Sequence, residues 1–204
     1  MYSDVEIKLK KRNKILFSRD SQCLQELIKL IQLQNHRDLV MWALDCSQTS
    51  LKQFEAKYPY ERRPRICLEL CEEWARGKIK MTVAKRAILD SHAVAKEIND
   101  EEYGALCHAI GHAGATVHVE THAIGLPMYE LTSIVLKYSK ENYSKPVSDK
   151  INFYYDRLLY WQEKTDKLEL EWADFLLDDT RINKEKLLSE KRKLKEQEVN
   201  KYKE

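Results

Sequence analysis

The sequence predicts an all-α protein: a bundle of about six core helices over residues 1–147, then a helical extension over 148–204 with a heptad pattern and a charged tail. Two observations predict it. Only five Gly and four Pro occur in 204 residues, whereas a sheet protein of this size needs many turns, and turns consume those residues. Apolar residues also recur at steps of three and four through nearly the whole chain, the period of a helix with one buried face.

The first expected helix runs from about Asp20, a possible cap, to Leu33, with Cys23, Leu24, Leu27, Leu30 and Ile31 on its buried side. Asn35 can cap the second, whose stripe is Leu39, Val40, Ala43, Cys46, Ser47, Leu51 and Phe54. Tyr58-Pro59 ends it, because the residue before a proline avoids helical geometry. Pro64 suits a first helical turn, Cys67, Leu70, Cys71 and Trp74 form the inner face of the third helix, and Gly77 suits its left-handed end. A fourth is expected from about Thr82 to Ile98. Asn99 with Glu102 resembles a capping box opening a fifth, to about Ala123, and Gly125 with Pro127 starts a sixth ending near Asn142.

The fifth helix is rich in small residues: Gly104, Ala105, Ala109, Gly111, Ala113, Gly114 and Ala115. Each glycine inside a helix costs about 1 kcal/mol relative to alanine, so close packing must offset them, and this helix is expected at the centre of the bundle. Ile151, Tyr154, Leu158, Trp161, Leu168, Trp172 and Phe175 form a heptad seam, interrupted at Thr165, that packs on the bundle or on a second copy in a homodimer through 151–175.

The formal net charge of +2 gives no global field to recruit nucleic acid or an anionic membrane. Basic residues do concentrate locally, at Lys8–Lys14 and again from Lys184 onward, as solvated faces and chain ends do. No apolar run has the length of a signal peptide or a membrane span. Cys23, Cys46, Cys67, Cys71 and Cys107 are odd in number and scattered, which reads as buried thiols in a reducing compartment and points to the cytoplasm.

Chemistry concentrates in the histidines. His108 with His112, and His118 with His122, are each spaced by four, which puts two imidazoles on one helical face. One ion cannot take both pairs. His108 and His118 would lie about 15 Å apart along a helix, against ligand bonds of about 2 Å. Each pair is at best half a metal site, His118 and His122 being the candidates, completed by a carboxylate or by His92 from another helix. The alternatives are imidazoles filling polar holes in a tight bundle, and a catalytic or pH-sensing histidine. Asp45, one turn from Trp42, and Asp90, beside His92, could each orient a histidine or simply sit on a helix surface. No Ser or Cys stands in a nucleophile motif, so no catalytic residue is assigned and an enzyme is not favoured. Arg62, Arg63 and Arg65 surround Pro64 at a helix start, a possible site for an anion or an acidic partner, unless Arg65 pairs with Glu69.

Four blocks carry a family resemblance: Asn35-His-Arg-Asp-Leu-Val-Met-Trp-Ala-Leu-Asp-Cys46, Arg63-Pro-Arg through Glu73-Trp-Ala-Arg-Gly77, Ala87-Ile-Leu-Asp-Ser-His-Ala-Val-Ala-Lys96, and Gly111-His-Ala-Gly-Ala-Thr-Val-His-Val-Glu-Thr-His-Ala-Ile-Gly125. Over about Ile15 to Tyr160 the chain resembles the immunity proteins of bacterial polymorphic-toxin systems, a small all-helical family. The resemblance implies a bacterial binding protein that sequesters a protein toxin. It supplies no catalytic residues, although its pattern matches Trp42, Trp74, His92, His112, His118 and His122. The chain departs from it in the long, charged C-terminal third, and its slight basicity contrasts with the acidic inhibitors common against nuclease toxins. Beside this binding role stand two alternatives: a metal-binding helical-bundle enzyme using histidines of the helix over 100–123, and a self-associating structural protein.

Overall fold

The computed structural model describes residues 2–138 and 142–178, and among these it contains helices and connecting turns but no strand. The helices are α1 (Ser3–Lys10), α2 (Gln25–Leu33), α3 (His36–Lys57), α4 (Arg63–Ala75), α5 (Met81–Glu97), α6 (Glu101–Ala115), α7 (Gly125–Lys137), α8 (Ser144–Lys164) and the single turn α9 (Asp174–Leu177). Short 3-10 turns lie at Gln22–Leu24, Glu120–His122 and Thr165–Lys167.

The small-residue helix α6 is the axis, with α3, α4, α5 and α7 packed around it. Its lack of bulk lets its neighbours approach closely. A Cβ on Gly114 would stand 2.7 Å from Cys71 Sγ on α4, and one on Gly104 would stand 3.3 Å from the Ala95 carbonyl on α5. Local signals set several ends. The Asn35 Oδ1 accepts the Asp38 N–H at 2.9 Å, Pro64 sits in the first turn of α4, and Gly77 takes φ +73°, a left-handed geometry that favours glycine.

Polar tethers hold α8 against the bundle. Trp42 Nε1–H donates to the Tyr154 carbonyl at 2.9 Å, and Asp45 accepts from Trp161 Nε1 at 2.9 Å and from the Arg157 guanidinium. The fully buried Tyr154 donates its hydroxyl to Glu130 on α7, and Lys150 Nζ lies 2.9 Å from the same carboxylate. Burial and the adjacent Glu130 charge push the Tyr154 phenol well above its ordinary range.

Several expectations are corrected. Asp100, not Asn99, caps α6, its Oδ1 accepting the Tyr103 N–H at 3.2 Å. The first expected helix begins with a 3-10 turn at Gln22, and Asp20 makes no cap. Helix α1 has no clear signature in the sequence, since Val5 is its one fully buried residue. Helix α6 stops at Ala115 rather than continuing to Ala123, because Thr116, Val117, Val119 and Thr121 form a β-branched run that resists helical geometry. The sixth expected helix, α7, ends at Lys137, and residues 139–141 lie outside the described residues.

The long heptad helix is also corrected. The seam from Ile151 through Tyr154 and Leu158 to Trp161 belongs to α8 and packs against the core of this chain. At Lys164 the helix ends, and the buried Thr165 donates its hydroxyl to the Trp161 carbonyl at 2.7 Å. Leu168 is exposed, and Trp172 and Phe175 lie beyond the helix in an extended segment and α9. The charged tail from Thr180 lies outside the described residues. No helix among the described residues is long and apolar enough to cross a membrane.

Candidate imidazole site

Four histidines and a tyrosine meet where α5, α6, α7 and the turn between α6 and α7 converge. His92 comes from α5, His108 and His112 from α6, His122 from the 3-10 turn and Tyr129 from α7. Nδ1 of His92 and Nδ1 of His108 are 2.8 Å apart, a hydrogen bond in which one ring donates and the other accepts. With the ring centroids only 5.0 Å apart, the two nitrogens lie close to the line joining the rings. His112 continues the row, at 5.4 Å from His92 and 5.6 Å from His122, and stacks on Tyr129 at 5.1 Å with the planes 20° apart. His108 lies 4.9 Å from the same tyrosine.

Glycines seat the rings. A Cβ on Gly111 would stand 2.6 Å from His92 Cε1, and one on Gly125 would stand 2.4 Å from His112 Cγ. Gly111 therefore clears space for an imidazole of α5 and Gly125 for one of α6. The turn that delivers His122 is pinned by His36, whose Nε2 is 2.6 Å from the Thr116 carbonyl.

All four rings are half-buried. Burial, then the neighbouring imidazoles and Lys96, lower the pKa of His92 to about 4. Burial, the other three rings and Arg19 lower His112 to about 3, and burial with Lys96 lowers His108. These three rings are thus neutral at neutral pH. His112 Nδ1 is buried with no hydrogen-bond partner.

The remaining candidates fall elsewhere. His118 is exposed and lies against Trp74, ring centroids 5.9 Å apart, so the pairing of His118 with His122 on one helical face is lost together with the helix. Among the described residues no three His, Cys, Asp or Glu side chains form a group that could hold a metal ion. Trp42 and Asp45 anchor α8 and orient no histidine. Arg63 pairs with Glu61 and Glu97, and Arg65 with Glu55 and Glu69, so the anion patch expected at this helix start reduces to the exposed Arg62. Burial pushes the Cys107 thiol up to about 12 and raises Cys46, and the free thiol of Cys67 is raised by its hydrogen bond with the Cys71 thiol and by burial, so none of the three is an activated nucleophile. Nothing in the sequence marks Tyr129 as a ring platform. The role of Gly111 and Gly125 is equally hidden there, because a glycine reports thin packing without saying against what.

Fold and site together describe a small domain, all-helical over the described residues, built on a thin central helix with a row of half-buried imidazoles. The model of one family, described as Imm-5 like putative immunity protein, matches residues 29–157, well over half of the 204-residue chain, and the chain belongs to that family. No curated protein and no solved structure matches it.

Proposed function

We propose that this chain is a bacterial cytoplasmic immunity protein that neutralises a protein toxin by binding it stoichiometrically. Family membership over residues 29–157 carries the reading. We assign the contact to the surface around His92, His108, His112 and His122, which lies within that span. Half-buried neutral imidazoles flanked by Tyr129 offer donors, acceptors and stacking faces, the mixture that suits a protein interface.

Co-expression with a protein toxin from a neighbouring gene tests the proposal. The expected result is a one-to-one complex and survival of the host. A His92→Ala/His112→Ala variant that still folds is expected to lose at least about tenfold in affinity, which is about 1.4 kcal/mol of binding free energy. Neither complex nor protection with the wild-type chain would refute the function. Full affinity in the double variant would move the contact elsewhere.

A further inference from the structure

After α8 the chain crosses the surface of the matched domain as a strap, residues 168–177, and its contacts resemble those of a bound peptide. One main-chain bond sets its register, from the Ala173 N–H to the Ala75 carbonyl at 2.8 Å. Phe175 lies on Trp74 with ring centroids 5.3 Å apart, and Leu176 keeps 1% of its exposure. The Arg76 guanidinium sits over the Trp172 ring at 4.9 Å, and Arg37 Nη1 donates to the Leu176 carbonyl at 3.1 Å. The groove beneath is formed by Trp74 and Ala75 at the end of α4, by Arg76 just beyond it, by Arg37 in the first turn of α3, and by His118 at the rim.

Groove and occupant come from different parts of the chain. Every groove residue lies inside the family match at 29–157, and the whole strap lies outside it. A short segment tied by one main-chain bond at Ala173, with its aromatic and leucine anchors carried on the single turn α9, combines the backbone bonding and side-chain anchoring that peptide-recognition sites use.

We propose that this groove is a docking site for a short segment of a partner protein bearing aromatic and leucine anchors, and that residues 168–177 are a built-in occupant which that segment must displace. Only the identity of the partner, a toxin, rests on the function proposed above. The groove and its competing strap stand independently of it. A tethered occupant acts at an effective concentration in the millimolar range, so a strap of about ten-micromolar intrinsic affinity should weaken the binding of a free segment roughly 100-fold.

The test uses the full chain and a fluorescent peptide copying residues 168–178. Phe175→Ser/Leu176→Ser alters the strap and leaves the groove intact. By anisotropy this variant is expected to bind the peptide at least about tenfold more tightly than the wild type does, with its tryptophan emission more open to acrylamide quenching. Equal or absent binding in a folded double variant overturns the proposal. If that variant does not fold, Ala173→Pro decides. Ala173 already has φ −62°, which proline accepts, and the substitution removes the N–H donated to Ala75. Unchanged peptide affinity in that variant overturns the proposal, and a several-fold gain upholds it. No toxin enters either experiment, so failure here and failure of the immunity reading are separate results.

Discussion

Gly111→Ala should destabilise the protein, against the ordinary rule for a helix interior. Alanine in place of glycine normally stabilises a helix by about 1 kcal/mol. Here the new methyl would stand 2.6 Å from Cε1, 2.8 Å from Nε2 and 3.0 Å from Nδ1 of His92, where carbon contacts are comfortable only beyond about 3.5 Å. The ring must retreat by close to 1 Å, yet its Nδ1 is held by His108 at 2.8 Å. Overpacking costs about 1–3 kcal/mol and a lost hydrogen bond about 1 kcal/mol, so a net loss of about 1–3 kcal/mol remains after the propensity gain. For a chain of this size that is a fall in Tm of roughly 2–12 °C. Urea unfolding of Gly111→Ala, His92→Ala and the double variant tests the cause. With the ring removed, the same Gly111→Ala change should be neutral or stabilising, giving a coupling of about 2 kcal/mol. A stabilising Gly111→Ala in the wild-type background, or the same effect in both backgrounds, would refute the account.

Acid should weaken the fold earlier than ordinary histidines would. The folded-state pKa values of His92 and His112 lie at about 4 and about 3, beneath the unfolded value near 6.5, so the unfolded chain binds more protons between those limits. Stability is therefore present above about pH 6.5 and is lost as pH falls toward 4, by up to about 1.4 kcal/mol per pH unit for each ring. Urea midpoints between pH 7 and pH 4.5 check this, and a slope unchanged in His112→Asn would count against it. Lys150→Ala leaves Glu130, only 5% exposed, without its cation, and should cost about 3–5 kcal/mol by the same unfolding assay. Asp45→Ala frees Arg157 and Trp161 together, and a loss of about 1–3 kcal/mol is expected, with faster amide exchange in α8 than elsewhere.

Local chemistry makes much of the fold legible in the sequence. Asn35, Tyr58-Pro59, Pro64 and Gly77 each act within a few residues of themselves, and the ends of α3 and α4 fall where they direct. What the sequence hides depends on partners distant along the chain or on a mixed local signal. The end of α6 is of the second kind: the apolar period continues past Ala115, and the β-branched run from Thr116 to Thr121 overrules it. That ending also decides the site, since the four-residue spacing of His118 and His122 has meaning only on a helix. His92, His108 and His112 stand out by type, but no rule of spacing within one segment can bring α5 into register with α6. The spacing of Leu168, Trp172 and Phe175 fits a heptad seam, yet here these residues belong to a strap that departs from the helix.

The glycines argue that the imidazole row is a feature the fold supports at some expense. Gly114 is explained by packing, because Cys71 of α4 occupies the space its side chain would need. At Gly111 and Gly125 the atoms nearest to a Cβ belong to imidazole side chains. These are His92 and His112, rings that are half-buried and neutral, the first hydrogen-bonded to His108 and the second with its Nδ1 unpartnered. A core shaped for stability alone would place alanine at Gly111 and an apolar side chain at His92, gaining helix propensity and avoiding the desolvation of polar rings. Local rules broken in concert at a surface mark a functional site more often than a packing accident. On the binding role proposed above, the Gly111→Ala/His92→Ala chain should then fold about as well as the wild type and still lose its partner. Retained full affinity in that variant would return the imidazoles to the status of packing groups.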